Sequence, residues 1–304
     1  MRLALLAAAA TGVQVGAAIV ASRMVVAEVP PLTLAMLRYG IGFLCLLPFV
    51  FKPWNRTPAD GSHRAALRRL PVHDVLAMAA LGLGQFAILI ALLNFGLQSV
   101  GAAQAALIFS LFPLLTLLLS AGLGHEAISL RLLLGVLLSI SGVALSMAPK
   151  LMHVGAGPWW GELAVLASAA VGAGCSVFYR PYLQRYPTLQ VSAFAMLASV
   201  LFLALLALHE GWPARVTQLL PQTWGVVFFI GASSGIGYFL WLYALKHESP
   251  TRVTIFLALN PLTAAVLGAL LLYEPFDLWL LGAIVLIAAG LWLATRTRKA
   301  TAQR

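Results

Sequence analysis

Two stretches of the chain, LQSVGAAQAALIFSLFPLLTLLLSAGLGHE (residues 97–126) and LKHESPTRVTIFLALNPLTAAVLGALLLYE (residues 245–274), align without a gap at an offset of 148 residues. Apolar coincidences are common in a chain so rich in Leu and Ala. Coincidences of proline, glutamate and glycine at one shared offset are rare. The aligned pairs of these types are Pro113 with Pro261, Glu126 with Glu274, and Gly142 with Gly290. The alignment indicates an internal duplication.

The beginnings of the two halves also align, but at a larger offset of 157 residues. The pairs are Arg23 with Arg180, Pro30 with Pro187, and Leu32 with Leu189. A longer basic loop around residues 52–70 in the first half accounts for the difference between the offsets. We therefore predict two repeats, residues 1–150 and residues 151–304.

Composition predicts the class of protein. The 304 residues are 62% hydrophobic and only 9% charged, whereas soluble domains carry roughly 25% charged residues. About 20 apolar residues span the ~30 Å of a bilayer core, so an all-α integral membrane protein is predicted and a water-soluble enzyme is excluded. Ten transmembrane helices are predicted, at residues 3–22, 30–51, 74–96, 100–121, 130–148, 158–179, 188–208, 222–245, 250–272 and 277–295.

Each repeat thus holds five helices, and this odd number decides how the halves are oriented. A unit with five crossings ends on the side opposite to its start, so its copy enters the membrane inverted. Inverted repeats are typical of secondary transporters, whose solute site lies near the midplane between the halves. We predict alternating access around such a site.

The distribution of Lys and Arg predicts the topology. With the N-terminus in the cytoplasm, fifteen of the nineteen basic residues fall on the cytoplasmic side and three, Arg23, Lys150 and Arg215, fall outside. Cytoplasmic loops are normally the basic ones. The net charge of +10 is therefore attributed to these loops, not to nucleic-acid binding, and both termini are predicted to be cytoplasmic.

The first apolar stretch has an alternative interpretation as a signal peptide, because a basic residue precedes a run of small apolar residues. The run continues to Val20, however, and its counterpart in the second half is internal. We predict a retained first helix.

Each half resembles the EamA unit of the drug/metabolite transporter superfamily. The residues that carry the resemblance are VPPLTLAMLRYGIGFLCLLP (29–48), the series Pro113, Glu126 and Gly142, GELAVLASAAVGAGCSVFYR (161–180), and the stretch 242–275. The resemblance covers nearly the whole chain. It implies a ten-helix carrier of the inner membrane, with a central cavity, that exports metabolites or amino acids. Many relatives carry an acidic residue before the second-half proline, where this chain has Asn260.

Arg38 is the single charged residue deep inside a predicted span. An intramembrane Arg is costly unless it faces a cavity or a partner. It is a candidate to bind a solute carboxylate or a helix terminus in the pore. The alternatives are a side chain that extends outward to the interface, or a cap for the loop between the first two helices.

Uncharged polar and aromatic residues supply further candidates. An amide in hydrocarbon must face other helices or water. The predicted solute-binding residues are Gln14, Arg38, Tyr39, Gln85, Asn94, Tyr238, Trp241 and Asn260. For the polar ones the alternative is a hydrogen bond between helices. For the aromatic residues it is the interfacial belt, which we favour for Tyr243.

Pro113 and Pro261 fall within predicted helices at equivalent points of the repeats. Proline removes a helical hydrogen bond and favours a kink, so this symmetric pair is predicted to form gating hinges. No P-loop, HExxH, CxxC or GxGxxG dinucleotide motif occurs in the sequence. The sequence therefore predicts no catalytic residues, no metal and no cofactor, and assigns no oligomeric state.

All nine acidic residues lie in predicted loops or at helix ends, where we expect solvated charges, and the six histidines do too. Proton-coupled carriers commonly place a titratable group inside the membrane. Facilitated diffusion or exchange of a small organic solute is therefore predicted. Coupling to Na⁺ through backbone carbonyls, or to a loop-end acid such as Glu28 or Asp277, remains open. A lipid flippase or membrane enzyme, and a membrane sensor that transports nothing, are the rival functions.

Overall fold

The computed structural model describes residues 2–51, 71–124, 130–148, 158–186, 188–248, 253–275 and 277–295. Within these ranges every regular element is helical. The apolar helices are α1 (Arg2–Val25), α2 (Pro31–Phe51), α3 (Val72–Leu97), α4 (Ala102–Gly122), α5 (Leu130–Ser146), α6 (Trp160–Arg185), α7 (Thr188–Leu206), α8 (Pro221–His247), α9 (Leu259–Leu271) and α10 (Leu278–Thr295).

Seven of these helices, α1 to α4 and α6 to α8, are long and apolar enough to cross a membrane, and the apolar parts of α5, α9 and α10 are shorter. The helices lie close to the predicted positions, except that α9 begins at Leu259, after the 3₁₀ turn Ile255–Ala258, and not at the predicted residue 250. The chain is therefore a multi-pass membrane protein, as its composition predicted. The sequence located the helices well because each is a long apolar run that ends at Pro, Gly or a charge.

Three of the helices are interrupted near the middle of the molecule. Residues Leu83–Ile88 of α3 form a π-helical segment. Helix α4 consists of Ala102–Phe109 and Phe112–Gly122, separated by a turn. A 3₁₀ turn, Ile255–Ala258, leads into α9. Interruptions of this kind often mark functional sites or hinges, and here they adjoin the central cavity.

The two halves of the chain interlock. Helix α1 packs against α8 and α9, α2 packs against α7 and α8, and α3 and α4 pack against α6. Helix α4 also contacts α9, and α5 pairs with α10. The contact between α2 and α8 is backbone to backbone, since a Cβ on Gly235 would lie 2.8 Å from the carbonyl oxygen of Gly42. Helices approach this closely in membranes where small residues face each other.

Carboxylates tie helix ends together across the halves. Glu210, which follows α7, accepts hydrogen bonds from the backbone N–H groups of Leu32 and Thr33 at 3.0 and 2.7 Å. Glu274, which follows α9, accepts them from Ala102 and Ala103 at 2.7 and 3.1 Å. Each carboxylate satisfies the free donors at a helix N-terminus and complements its dipole.

Two further contacts join helix starts to distant loops. Thr223 of α8 donates a hydrogen bond to Glu28 at 2.5 Å. Tyr186 donates one to Asp74 of α3 at 2.5 Å, and Arg185 lies 3.9 Å from the same carboxylate. The expectation of solvated loop charges is therefore wrong for these residues. The acids do lie at helix ends, but each binds another part of the chain, over sequence separations that no local pattern reveals.

Candidate functional site

A cavity of about 70 Å³ lies in the middle of the molecule, between helices of both halves. It is lined by α1, α2, α3 and α4 of the first half, and by α8 and the turn before α9 of the second. Six of the eight predicted solute-binding residues line it: Gln14, Arg38, Tyr39, Gln85, Tyr238 and Trp241. The remaining lining residues are Thr11, Val15, Ile19, Leu89, Ile90, Leu93, Phe109, Phe112, Ser234, Gly237 and Leu257.

Arg38 is the one charged residue among these lining residues. It lies seven residues into α2, about 10 Å from the start of the helix at 1.5 Å per residue. Its side chain is 4% exposed, and its Nε and Nη1 atoms have no hydrogen-bond partner. Its closest aromatic neighbour is Tyr39, with the guanidinium carbon 5.6 Å from the ring centroid. The side chain is thus neither exposed at the interface nor bound as a cap.

The cavity lining is polar where α1 contacts α8. Gln14 donates a hydrogen bond from Nε2 to the Ser233 hydroxyl at 3.3 Å. Thr11 donates to the carbonyl oxygens of Ala7 and Gly237, at 2.9 and 3.2 Å. A Cβ on Gly237 would lie 2.4 Å from the Gln14 side-chain oxygen. A side chain at position 237 would therefore displace the Gln14 amide from its present place in the cavity.

Gln85 comes from the π-helical segment of α3. The extra residue in a π-helical turn shifts the face on which the following side chains lie. The side-chain carbonyl oxygen of Gln85 is buried without a hydrogen-bond partner, and so is the hydroxyl oxygen of Ser234. The cavity therefore contains both unsatisfied cationic donors on Arg38 and unsatisfied neutral oxygens.

Aromatic rings form much of the wall, and Phe86, which does not itself line the cavity, packs between two of them. Phe86 is in edge-to-face contact with Tyr39 on one side and Tyr238 on the other, with ring centroids 4.5 and 4.1 Å apart. Phe112 packs edge-on against Trp241 at 6.0 Å. Such pairs contribute about 0.5–1.5 kcal/mol beyond the area that they bury. The sequence singled out Tyr39, Tyr238 and Trp241. It did not single out Phe86 or Phe112, which pack against them.

Asn94 and Asn260 are not among the lining residues. Asn94 donates a hydrogen bond to the carbonyl oxygen of Pro31 at 3.1 Å and thereby ties α3 to the first turn of α2. Asn260 is fully buried, with no partner for either side-chain amide atom. Its backbone oxygen approaches α1 at Gly16, where an added Cβ would lie 2.7 Å away.

Both predicted hinge prolines directly follow an interruption. Pro113 occupies the first turn of the second segment of α4, next to the lining residue Phe112. Pro261 is the third residue of α9, directly after the 3₁₀ turn that contains Leu257. Neither proline sits in the middle of an unbroken helix, because in each case the helix is already broken on its N-terminal side.

Among the described residues that line the cavity there is no Asp, Glu, His or Cys. The described part of the chain also contains no group of three or more His, Cys, Asp or Glu side chains able to hold a metal ion. What the cavity offers is a cation, several neutral hydrogen-bonding groups and an aromatic wall. Such a set is suited to binding an amphipathic anion or zwitterion.

Comparison with known proteins shows the family that the chain matches. The sequence profile described as the EamA-like transporter family matches the chain twice, over residues 2–148 and 159–296. A probable terminal-alkyne amino-acid exporter of Streptantibioticus cattleyicolor is 30% identical over 241 residues, which are 78% of this chain and 77% of the relative.

Two further relatives are similar over most of their length. An uncharacterized transporter of Archaeoglobus fulgidus is 25% identical over 76% of this chain and 81% of its own. A probable amino-acid metabolite efflux pump of Salmonella typhimurium is 25% identical over 88% and 86%. A solved crystal structure, 23% identical, superposes with a TM-score of 0.69 over 96% of both chains. The last similarity shows that the fold is shared.

Proposed function

The chain belongs to the EamA-like transporter family, and from that premise we propose that it is a secondary carrier of a small organic carboxylate, such as an amino acid. It works by alternating access between two inverted five-helix halves, residues 1–150 and 151–304. The observation that carries the proposal is the buried, unpartnered guanidinium of Arg38 in a cavity shared by both halves.

Arg38 favours a carboxylate because burying an unpaired charge is costly and a carboxylate binds a guanidinium with two parallel hydrogen bonds. Gln14, Tyr39, Gln85, Tyr238 and Trp241 complete the proposed site. The rings of Tyr238 and Trp241 supply a surface for an apolar part of the solute, while the two amides orient its polar part. Two relatives are named as amino-acid or amino-acid-metabolite exporters, which supports export of a solute of this kind.

The size of the cavity supports a closed state in the transport cycle. A volume of about 70 Å³ is well below the roughly 300–1,000 Å³ of typical ligand pockets and is too small for an amino acid. Binding must therefore separate helices around the cavity. The broken helices α3, α4 and α9 adjoin it, and we propose Pro113 and Pro261 as the hinges.

The pattern of helix packing supports a symmetric relation between the halves. Each helix of one half corresponds to the helix five places away in the chain, so exchanging the two should turn one packing pair into another. The pair α1–α8 then becomes α6–α3, α1–α9 becomes α6–α4, and α2–α8 becomes α7–α3, and all six pairs are in contact. The end contacts follow the same rule. Tyr186 bonds Asp74 at the start of α3, and Glu28 bonds Thr223 at the start of α8.

We further propose that both termini are cytoplasmic and that the protein resides in the inner membrane. Cysteines introduced near Arg64 or after Lys299 should react with an impermeant thiol reagent only from the cytoplasmic side. A cysteine near Glu274 should react only from outside. Labelling near Glu274 from the cytoplasm would refute the inverted arrangement.

Transport is proposed to be facilitated diffusion or exchange, because the described cavity lining has no group that titrates near neutral pH. In proteoliposomes with no solute gradient, an imposed pH step should drive no uptake. Uphill uptake that a protonophore abolishes would contradict this.

The experiment for the function itself is counterflow. Proteoliposomes loaded with one amino acid or small carboxylate should transiently accumulate the radiolabelled compound from a dilute external solution, and empty liposomes should not. A lipid flippase would instead move labelled phospholipid between leaflets and show no solute counterflow. The proposal fails if no compound shows counterflow in a panel that covers apolar, aromatic and polar amino acids and other small monocarboxylates.

A further inference from the structure

The neutral groups beside Arg38 narrow the class of solute, on the premise of the carboxylate carrier proposed above. Three oxygens of the lining residues are buried without a hydrogen-bond partner: Oε1 of Gln85, Oγ of Ser234 and Oη of Tyr238. An amide oxygen only accepts hydrogen bonds, and a buried hydroxyl oxygen has lone pairs to fill. Leaving such atoms unsatisfied is costly, so the solute should bring a hydrogen-bond donor as well as a carboxylate.

The charge of the site determines what kind of donor fits. Arg38 is the one charged group among the described lining residues, and it is cationic. A monoanion neutralises it. A zwitterion also brings an ammonium group, for which the described lining provides no carboxylate. Since an ammonium ion is strongly hydrated and costly to bury without a counter-charge, the cavity favours a donor that is neutral.

We infer that the site takes small monocarboxylates with an uncharged donor next to the carboxylate, the 2-hydroxy acids above all, in preference to zwitterionic amino acids. Arg38 binds the carboxylate, Gln85 accepts the hydrogen bond that the hydroxyl group donates, and the apolar part lies against Phe112 and Trp241. No covalent step is involved.

Four compounds with the same phenyl group separate the contributions: phenyllactate, phenylalanine, 3-phenylpropionate and phenethylamine. Each is tested as a competitor of phenyllactate counterflow in proteoliposomes, and as a stabiliser of the purified full-length protein against heat. Phenyllactate should bind most tightly. Phenylpropionate, which lacks the donor, should bind about tenfold more weakly, and phenylalanine should fall below phenyllactate. Phenethylamine should be at least about 30-fold weaker, since it leaves the guanidinium unpaired.

A variant and a matched control test the role of Gln85. Gln85→Leu should reduce the preference for phenyllactate over phenylpropionate to less than about threefold, while the carboxylate requirement stays. Gln190→Leu is the control, because Gln190 of α7 also has a buried carbonyl oxygen without a partner but does not line the cavity. It should leave the preference unchanged.

The outcomes separate the two proposals. The inference is overturned if phenylalanine binds more tightly than phenyllactate, if phenethylamine competes equally well, or if Gln85→Leu leaves the preference intact. In the first and third cases the carboxylate carrier still stands. If none of the four compounds stabilises the protein or competes, and no other carboxylate shows counterflow, the proposed function fails and the inference fails with it.

Discussion

The ends of the helices and the central cavity treat buried polar groups in opposite ways. At the ends, Arg23 donates hydrogen bonds to the carbonyl oxygens of Leu97 and Gln98, and Glu210 and Glu274 each bind two backbone N–H groups. In the cavity, Arg38 has two nitrogens without a partner. Under the proposed function, the charges at the helix ends serve the structure and are satisfied within the chain, whereas the charge in the cavity is left for the solute.

The largest expected effect comes from exchanging these two arginines in turn. Arg38→Gln should reduce counterflow at least about 30-fold, since a buried charge pair with the solute carboxylate is lost. Arg23→Gln should change the rate per molecule less than about threefold, because it removes a contact at a partly exposed helix end. Initial rates normalised to reconstituted protein measure both. Equal losses in the two variants would remove the distinction between structural and functional charge.

A smaller effect is expected along α8, where Trp241 lines the cavity and Tyr243 does not. Trp241→Ala should reduce transport per molecule about tenfold, because an apolar wall of the site is lost. Tyr243→Ala should not, since Tyr243 packs beside His247 and does not line the cavity. Protein level is followed alongside, and a normal rate per molecule for Trp241→Ala would assign this ring to packing alone.

The helix-end carboxylates should affect stability more than solute recognition. Glu274→Gln weakens two charge-assisted hydrogen bonds to the start of α4, at a cost of about 1 kcal/mol. We expect a lower midpoint of thermal unfolding in detergent, with the order of preference among solutes unchanged. A changed order of preference, measured by competition, would mean that this end of the molecule takes part in recognition.

The smallest effect concerns pH at the Tyr186–Asp74 contact. The hydrogen bond to Asp74 and partial burial raise the pKa of Tyr186 above its usual value of about 10. A raised pKa means that the folded protein holds this proton more tightly than the unfolded chain. The contribution to stability is therefore present below about pH 10 and is lost as the pH rises further. Tyr186→Phe should abolish that part of the alkaline destabilisation, as thermal unfolding at pH 8 and above about pH 10 would show.

The sequence predicted the helices well and the site in part, for different physical reasons. Apolar length and helix-ending residues are local, so the seven long apolar helices and the three shorter ones were located. Arg38, Gln14 and Gln85 were found because a polar side chain inside an apolar run needs a partner. Phe109 and Phe112 were missed because nothing in the sequence distinguishes them from the other thirteen phenylalanines of the chain.

Other features could not be predicted because they depend on long-range geometry. No local sequence pattern predicts the π-helical segment that carries Gln85. Asn94 was a reasonable candidate for the cavity, but its amide found a backbone carbonyl of α2 instead. The partners of Glu210 lie more than 170 residues away in the chain, so its role as a helix cap was hidden until the helices were assembled.

The central claim is that the cavity is a solute site that opens to each side of the membrane in turn. Its most direct test is a single cysteine at Ser234, with Cys45 and Cys175 replaced by alanine, in vesicles of defined orientation. An impermeant thiol reagent should label this position when applied from either side, and the solute identified by counterflow should slow labelling from both. Labelling from one side only, or at a rate that the solute does not change, would contradict the account.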